Sequence, residues 1–132
     1  MVLFREQSAE STKLAKDFEI ICEKTGYKCE FCEADGYDFE VLEHLTLPIV
    51  FIIDKSSELH DFIQFKEKDL KYVRAYKRRF LNNLRYSVIE CDDSAFSQFI
   101  DAGLAKLGAN RSAPLCIGCP DENWVKSMFN KS

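Results

Sequence analysis

The 132-residue sequence is short of everything that interrupts regular structure: three prolines, five glycines, and no repeat or biased tract. That scarcity excludes collagen-like and low-complexity chains. Long hydrophobic runs are missing as well. The longest, residues 47–53, falls far below the roughly 20 residues needed to cross a bilayer. The first residues turn charged at Arg5, too early for a secretory leader, so the expectation is a cytoplasmic protein. There is no large excess of one charge. Eighteen bases against twenty-two acids leave a net charge of −4, which gives no general attraction to nucleic acid or an anionic membrane.

What is present suits a packed core: 46% of the residues are hydrophobic and eleven are phenylalanine. A chain of this length buries roughly two thirds of its unfolded surface and needs no covalent staples, so the six cysteines are read as reduced thiols. Apolar strands are expected at 1–4, 27–31, 49–53, 86–89 and 113–117. Helices are expected from a cap at Ser8 or Ser11 to Gly26 and at 38–45, 62–81, 94–107 and 122–130. The first helix carries Leu14, Ala15, Phe18, Ile21 and Cys22 on one face and is capped by Ser8 or Ser11. Residues 49–53 are apolar throughout, as a strand covered on both faces must be. Strand and helix in alternation predict an α/β three-layer sandwich, a five-stranded parallel sheet with helices on both faces, in one domain over 1–132.

In such a sheet, ligands bind beyond the carboxyl ends of the strands. The loop 5–11 leads into a helix N-terminus and offers Gln7, Ser8 and Ser11, which serve either as caps or as phosphate ligands. The loop after the third strand carries Ser56 and Ser57; the next carries Asp92, Asp93, Ser94 and the aromatic Phe96. A phosphate loop, a hydroxyl loop and an aromatic loop on one sheet edge suggest a flat, phosphorylated cofactor.

These segments resemble the flavodoxin-like FMN domain of the diflavin reductases, the NADPH–cytochrome P450 reductase group. Residues 2–11 stand where that family has a strand followed by G-S-Q-T-G-T-A, the FMN phosphate loop. Residues 37–40 and 47–51 are similar to D-Y-D and L-P-L-V-I-F. The most specific match is 84–99, against L-x-y-a-V-x-G-L-G-D-S-S-Y-x-x-F, and 107–115 resembles L-G-A-x-R-x-x-P-L. The resemblance implies a sheet in the order 2-1-3-4-5 and a bound FMN. It places cofactor contacts at Gln7, Ser8, Ala9, Glu10 and Ser11 for the phosphate, and at Ser56, Ser57, Cys91, Asp92, Asp93, Ser94, Phe96 and Asp121 around the ring. The function it implies is electron transfer, supplied by a separate NADPH-reductase module and directed to a redox partner protein; no side chain acts as acid, base or nucleophile.

Departures from the pattern support a second reading. Ala9 replaces the loop glycine and Glu10 its hydroxyl; the glycine-rich flavin loop shrinks to 55–60 and contains no glycine; Phe96 replaces the stacking tyrosine. The alternative is thus a degenerate flavodoxin-like interaction module that no longer binds FMN. An acidic block, Glu30, Glu33, Asp35, Asp38, Glu40 and Glu43, suits a docking surface, and a basic run from Lys71 to Arg79 reads as a solvated helix face. Cys29-x-x-Cys32 and Cys116-x-x-Cys119 spell a zinc pattern, but the sheet order puts the two pairs at opposite edges, and alternation turns Cys29 and Cys32 to opposite faces. Asp54 ends the central strand, where receiver domains place a phosphoacceptor, without the acidic pair or lysine that those domains require.

Overall fold

The computed structural model describes residues 1–54, 58–69, 80–91 and 96–130. In chain order the elements are β1 (Val2–Phe4), α1 (Ala9–Lys24), β2 (Phe31–Glu33), a 3-10 helix (Phe39–His44), β3 (Ile49–Ile53), α2 (Glu58–Asp69), β4 (Arg85–Glu90), α3 (Phe96–Lys106), β5 (Asn110–Arg111), β6 (Cys116–Ile117) and α4 (Glu122–Asn130). The sheet order is β2-β1-β3-β4-β5, with β6 also paired to β4, and every pairing is parallel.

Alternation along the central strands divides the core into two layers. Leu3, Ile49, Phe51, Ile53, Tyr86 and Val88 face α2, α3 and the 3-10 helix. Val2, Val50, Ile52 and Ile89 face α1 and α4, where Phe18 packs edge-on against Trp124 with ring centroids 6.0 Å apart. All five residues of β3 are buried, as its unbroken apolar run requires.

Two strands differ from the sequence expectation. Of residues 27–31 only Phe31 is in a strand; pairing begins where Val2 meets Phe31 and continues past the expected end to Glu33. Helix α1 closes through Thr25 and Gly26, whose φ of 85° is open to glycine, and the Tyr27 N–H returns to the Cys22 carbonyl at 2.9 Å. The next residues carry the chain from the helix to the sheet edge. Of the strand expected at 113–117 only Cys116–Ile117 pairs, as β6; a separate short strand, β5, lies before it at Asn110–Arg111, and both pair with β4. Pro114 lies between them and has no N–H for a ladder. The helix expected at 38–45 is a 3-10 helix capped by Asp38, whose Oδ1 accepts from the Glu40 N–H at 3.1 Å. Helix α2 begins at Glu58, earlier than the expected Phe62. The basic run 71–79 lies outside the described residues.

Candidate functional site

The carboxyl ends of β1, β2, β3 and β4 each present an ionisable side chain: Arg5 after β1, Glu33 and Asp35 at β2, Asp54 after β3, and wholly buried Glu90 ending β4. Because β1 lies between β2 and β3, Arg5 lies between two carboxylates. Its Nε donates to Asp35 Oδ1 at 2.9 Å, and its Nη1 lies 3.1 and 3.0 Å from the two oxygens of Asp54. The Arg5 side chain is 18% exposed and that of Asp54 8%. The hydrogen bonds to Asp35 and then Asp54 raise the Arg5 pKa further, so the cation is permanent.

Side chains close much of the loop from β1 to α1 internally. Ser8 caps α1, its Oγ accepting from the Ser11 N–H at 3.2 Å. Ser11 is completely buried, and its Oγ accepts from the Arg5 N–H at 2.9 Å. Thr12 Oγ1 donates to the Glu6 carbonyl at 3.2 Å. The Glu33 carboxylate then closes the loop from the side: one oxygen accepts from the Glu6 N–H and the other from the Asp35 N–H, both at 2.9 Å. Beyond it Gly36, at a φ of 78°, gives its N–H to Glu58 at 3.1 Å, tying the β2 turn to the start of α2.

These contacts place the expected site residues. Gln7, Ala9 and Glu10 are exposed at the loop mouth, Ser8 is half-buried as a cap, and Ser11 is turned into the fold. The Cys91 N–H donates to the Ile53 carbonyl at 3.0 Å and so belongs to the end of the sheet. Asp121 caps α4, its Oδ1 accepting from the Trp124 N–H at 2.9 Å. Ser56, Ser57, Asp92, Asp93 and Ser94 lie outside the described residues; Phe96 opens α3, and its ring is likewise outside them. Sequence reading missed the Arg5–Asp35–Asp54 cluster as a unit. The signal was available: once the order 2-1-3 is assumed, a base after the first strand must face acids after the second and third.

The residues present do not fit an FMN phosphate. A phosphate dianion in this loop needs free amides and hydroxyls within a positive field. Here the Glu6 amide holds a carboxylate and Ser11 is buried with its Oγ on the Arg5 amide, which leaves the Ala9 and Glu10 amides without a protein partner among the described residues but inside a negative field. Five acids, Glu6, Glu10, Glu33, Asp35 and Asp54, surround the loop, and Arg5 is paired to two of them.

The remaining acids and cysteines also have defined places. Glu40 pairs with Lys66 at 2.9 Å, so the acidic block of the sequence is in good part engaged internally. Cys29, ahead of β2, packs in the α1 layer and Cys32 in the opposite one, so the two do not meet. His44 is exposed, whereas His60 is half-buried with its ring 4.5 Å from that of Phe99. Among the described residues, no helix is long and apolar enough to cross a membrane.

No family model matches the chain. Over 98% of its length it is 25% identical to the mitochondrial pyruvate dehydrogenase [NADP(+)] of Euglena gracilis, of which it spans only 8%. Among solved structures it is similar to the flavodoxin of Streptococcus pneumonia TIGR4, with a TM-score of 0.56 and 13% identity over 96% of this chain and 90% of that one. Oxidised Flavodoxin 1 from Bacillus cereus matches at a TM-score of 0.55 and 15% identity, over 96% and 89% of the two chains. A flavodoxin-like domain from Synechococcus sp matches at 0.53 and 14%, over 96% and 84%. Together with the strand order, these likenesses establish a flavodoxin-like fold.

Proposed function

We propose that this chain is a flavodoxin-like interaction module, in which an internal ion-pair lock occupies the crevice where a flavodoxin-type fold receives its cofactor phosphate. The observation that carries this reading is the Glu33 carboxylate seated on the Glu6 amide at 2.9 Å, a protein anion in the place of a ligand anion. Around the lock, Glu6, Glu10, Asp38 and Glu58 are exposed and leave an acidic rim. Such a rim suits a redox protein with a basic docking face, with an encounter rate that falls as salt is added. The likeness to a pyruvate dehydrogenase [NADP(+)] supports a redox setting.

The test is a titration of FMN with the folded protein, followed by flavin fluorescence and by melting temperature. The expected result is no saturable quenching and no rise in Tm. A ligand at about 100 times its Kd would add about 2.7 kcal/mol of stability, which melting would register. Saturable, submicromolar binding would overturn the proposal.

One observation favours a second reading, an FMN electron-transfer domain served by a separate NADPH-reductase module. The amides of Ala9 and Glu10, in the exposed first turn of α1, make no protein hydrogen bond among the described residues. The same titration decides between the two readings.

A further inference from the structure

Away from the lock, the connection from α1 to β2 brings two cysteines together. Cys22 lies near the end of α1 and is 1% exposed; Cys29 is half-buried on the chain approaching β2. Their sulfurs are 3.3 Å apart. The turn at Thr25 and Gly26, closed by the Tyr27 N–H on the Cys22 carbonyl, reverses the chain and lays Cys29 back on the helix. A cavity of about 280 Å³ opens beside the pair, lined by Glu19, Cys22, Glu23, Tyr27, Lys28 and Cys29, with Phe31.

The two thiols are not equivalent. The contact with Cys29, followed by burial, pushes Cys22 up. The hydrogen bond with Cys22 draws Cys29 down despite its burial. Elsewhere, burial pushes Cys116 and Cys119 up, and their sulfurs lie 3.5 and 3.6 Å from the carbonyls of Gly118 and Pro120. Cys32 faces the other layer of the core.

We propose that Cys22 and Cys29 form a thiol–disulfide exchange site whose oxidant is a low-molecular-weight dialkyl disulfide. In the first step the Cys29 thiolate attacks one sulfur of the small disulfide. That S–S bond breaks, a small thiolate leaves, and Cys29 carries a mixed disulfide. In the second step the leaving thiolate takes the Cys22 proton and Cys22 attacks the Cys29 sulfur. The mixed bond breaks, the Cys22–Cys29 bond forms, and the second small thiolate departs with the proton that Cys29 had released. Two protein thiols lose two electrons and two protons, and one small disulfide becomes two small thiols. The cavity gives the oxidant its approach to Cys29, and the adjacent sulfur makes resolution intramolecular.

The test incubates the folded, reduced protein with bis(2-hydroxyethyl) disulfide and follows intact mass and tryptic peptides. Trypsin cuts after Lys24 and Lys28, so a Cys22–Cys29 bond appears as two joined peptides, and fragmentation separates Cys29 from Cys32 in the second. The expected product is lighter by two hydrogens and carries that link, and its precursor adduct forms on Cys29 about tenfold faster than on Cys116 or Cys119. Cys22→Ala should stop the reaction at the hydroxyethyl adduct on Cys29; Cys29→Ser should remove the link. A persistent adduct on Cys29 in the parent protein, a link between other cysteines, or reaction at Cys119 with the pair untouched would each overturn the proposal. If Cys22→Ala does not fold, mapping of the parent protein and Cys29→Ser decides alone.

Discussion

Replacing Arg5 by alanine should cost more than any surface charge can. Its guanidinium lies about 3 Å from carboxylate oxygens on two neighbouring strand ends. At that distance an effective dielectric near 20 gives a gross attraction of about 5 kcal/mol per pair. Desolvation cancels much of this. An exposed pair contributes about 0–1 kcal/mol, whereas breaking a buried one costs about 3–5 kcal/mol. The Asp35 side chain is 25% exposed and that of Asp54 only 8%, so most of the loss belongs to Asp54. We expect Arg5→Ala to lower the unfolding free energy by about 2–3 kcal/mol, a large share of the about 5–15 kcal/mol typical of a domain. Urea unfolding of the parent, Arg5→Ala, Asp54→Ala and the double variant forms a cycle that isolates the pair from every other contact of Asp54. The coupling should be about 2 kcal/mol and should survive in about 1 M salt, because the charges are closer than or comparable to the Debye length of about 3 Å. A coupling below about 0.5 kcal/mol, or one abolished by salt, would show that the cluster is an ordinary surface contact.

The other expectations concern β4, α2 and α3. Tyr86 Oη lies 3.0 Å from both the Asp101 carbonyl and Asp101 Oδ1, and Arg111 pairs with the same carboxylate. Tyr86→Phe should cost about 1–2 kcal/mol in urea unfolding; a neutral result would refute the bond's role. Burial, followed by the Asp101 charge, raises the Tyr86 phenol from 10.0 to about 12. The folded value exceeds the unfolded one, so this contribution is whole below pH 10 and declines as pH rises toward 12. Phenolate absorbance should show a late phase that Tyr86→Phe lacks, and ionisation of every tyrosine near 10 would contradict this. Gly103 of α3 faces Ile63 of α2 so closely that an added Cβ would fall well inside van der Waals contact. Gly103→Ala should therefore destabilise by about 1–3 kcal/mol, although alanine is the better helix former. A gain in Tm would show that the helices separate easily.

Much of the fold was legible because hydrophobic pattern and fold agree where burial is complete. Residues 49–53 read as a buried strand and are one, and the last helix spans the expected 122–130. Legibility failed where the chain changes direction. The alternation of residues 27–30 served the return from a helix terminus, and Pro114 kept the start of the announced strand 113–117 out of the ladder. The site was harder. A serine at a helix start reads equally as a cap or as an anion ligand, and only the partner atoms decide: Ser11 Oγ turned inward to the Arg5 amide. The lock joins residues up to 49 positions apart, so it emerges only when the strands are laid side by side.

The lock also makes its members depend on one another. Arginine and acids hold one another in place: removing Arg5 leaves Asp35 and Asp54 without their counter-ion, and removing an acid strands part of the guanidinium. Freeing the Glu6 amide by changing Glu33 would still leave Glu10 at the loop mouth and Ala9 where flexibility would be needed. No single substitution turns this loop into an anion cradle, and any that breaks an Arg5 pair leaves a less stable protein. The side chains of the lock therefore form a unit that tolerates change only in concert.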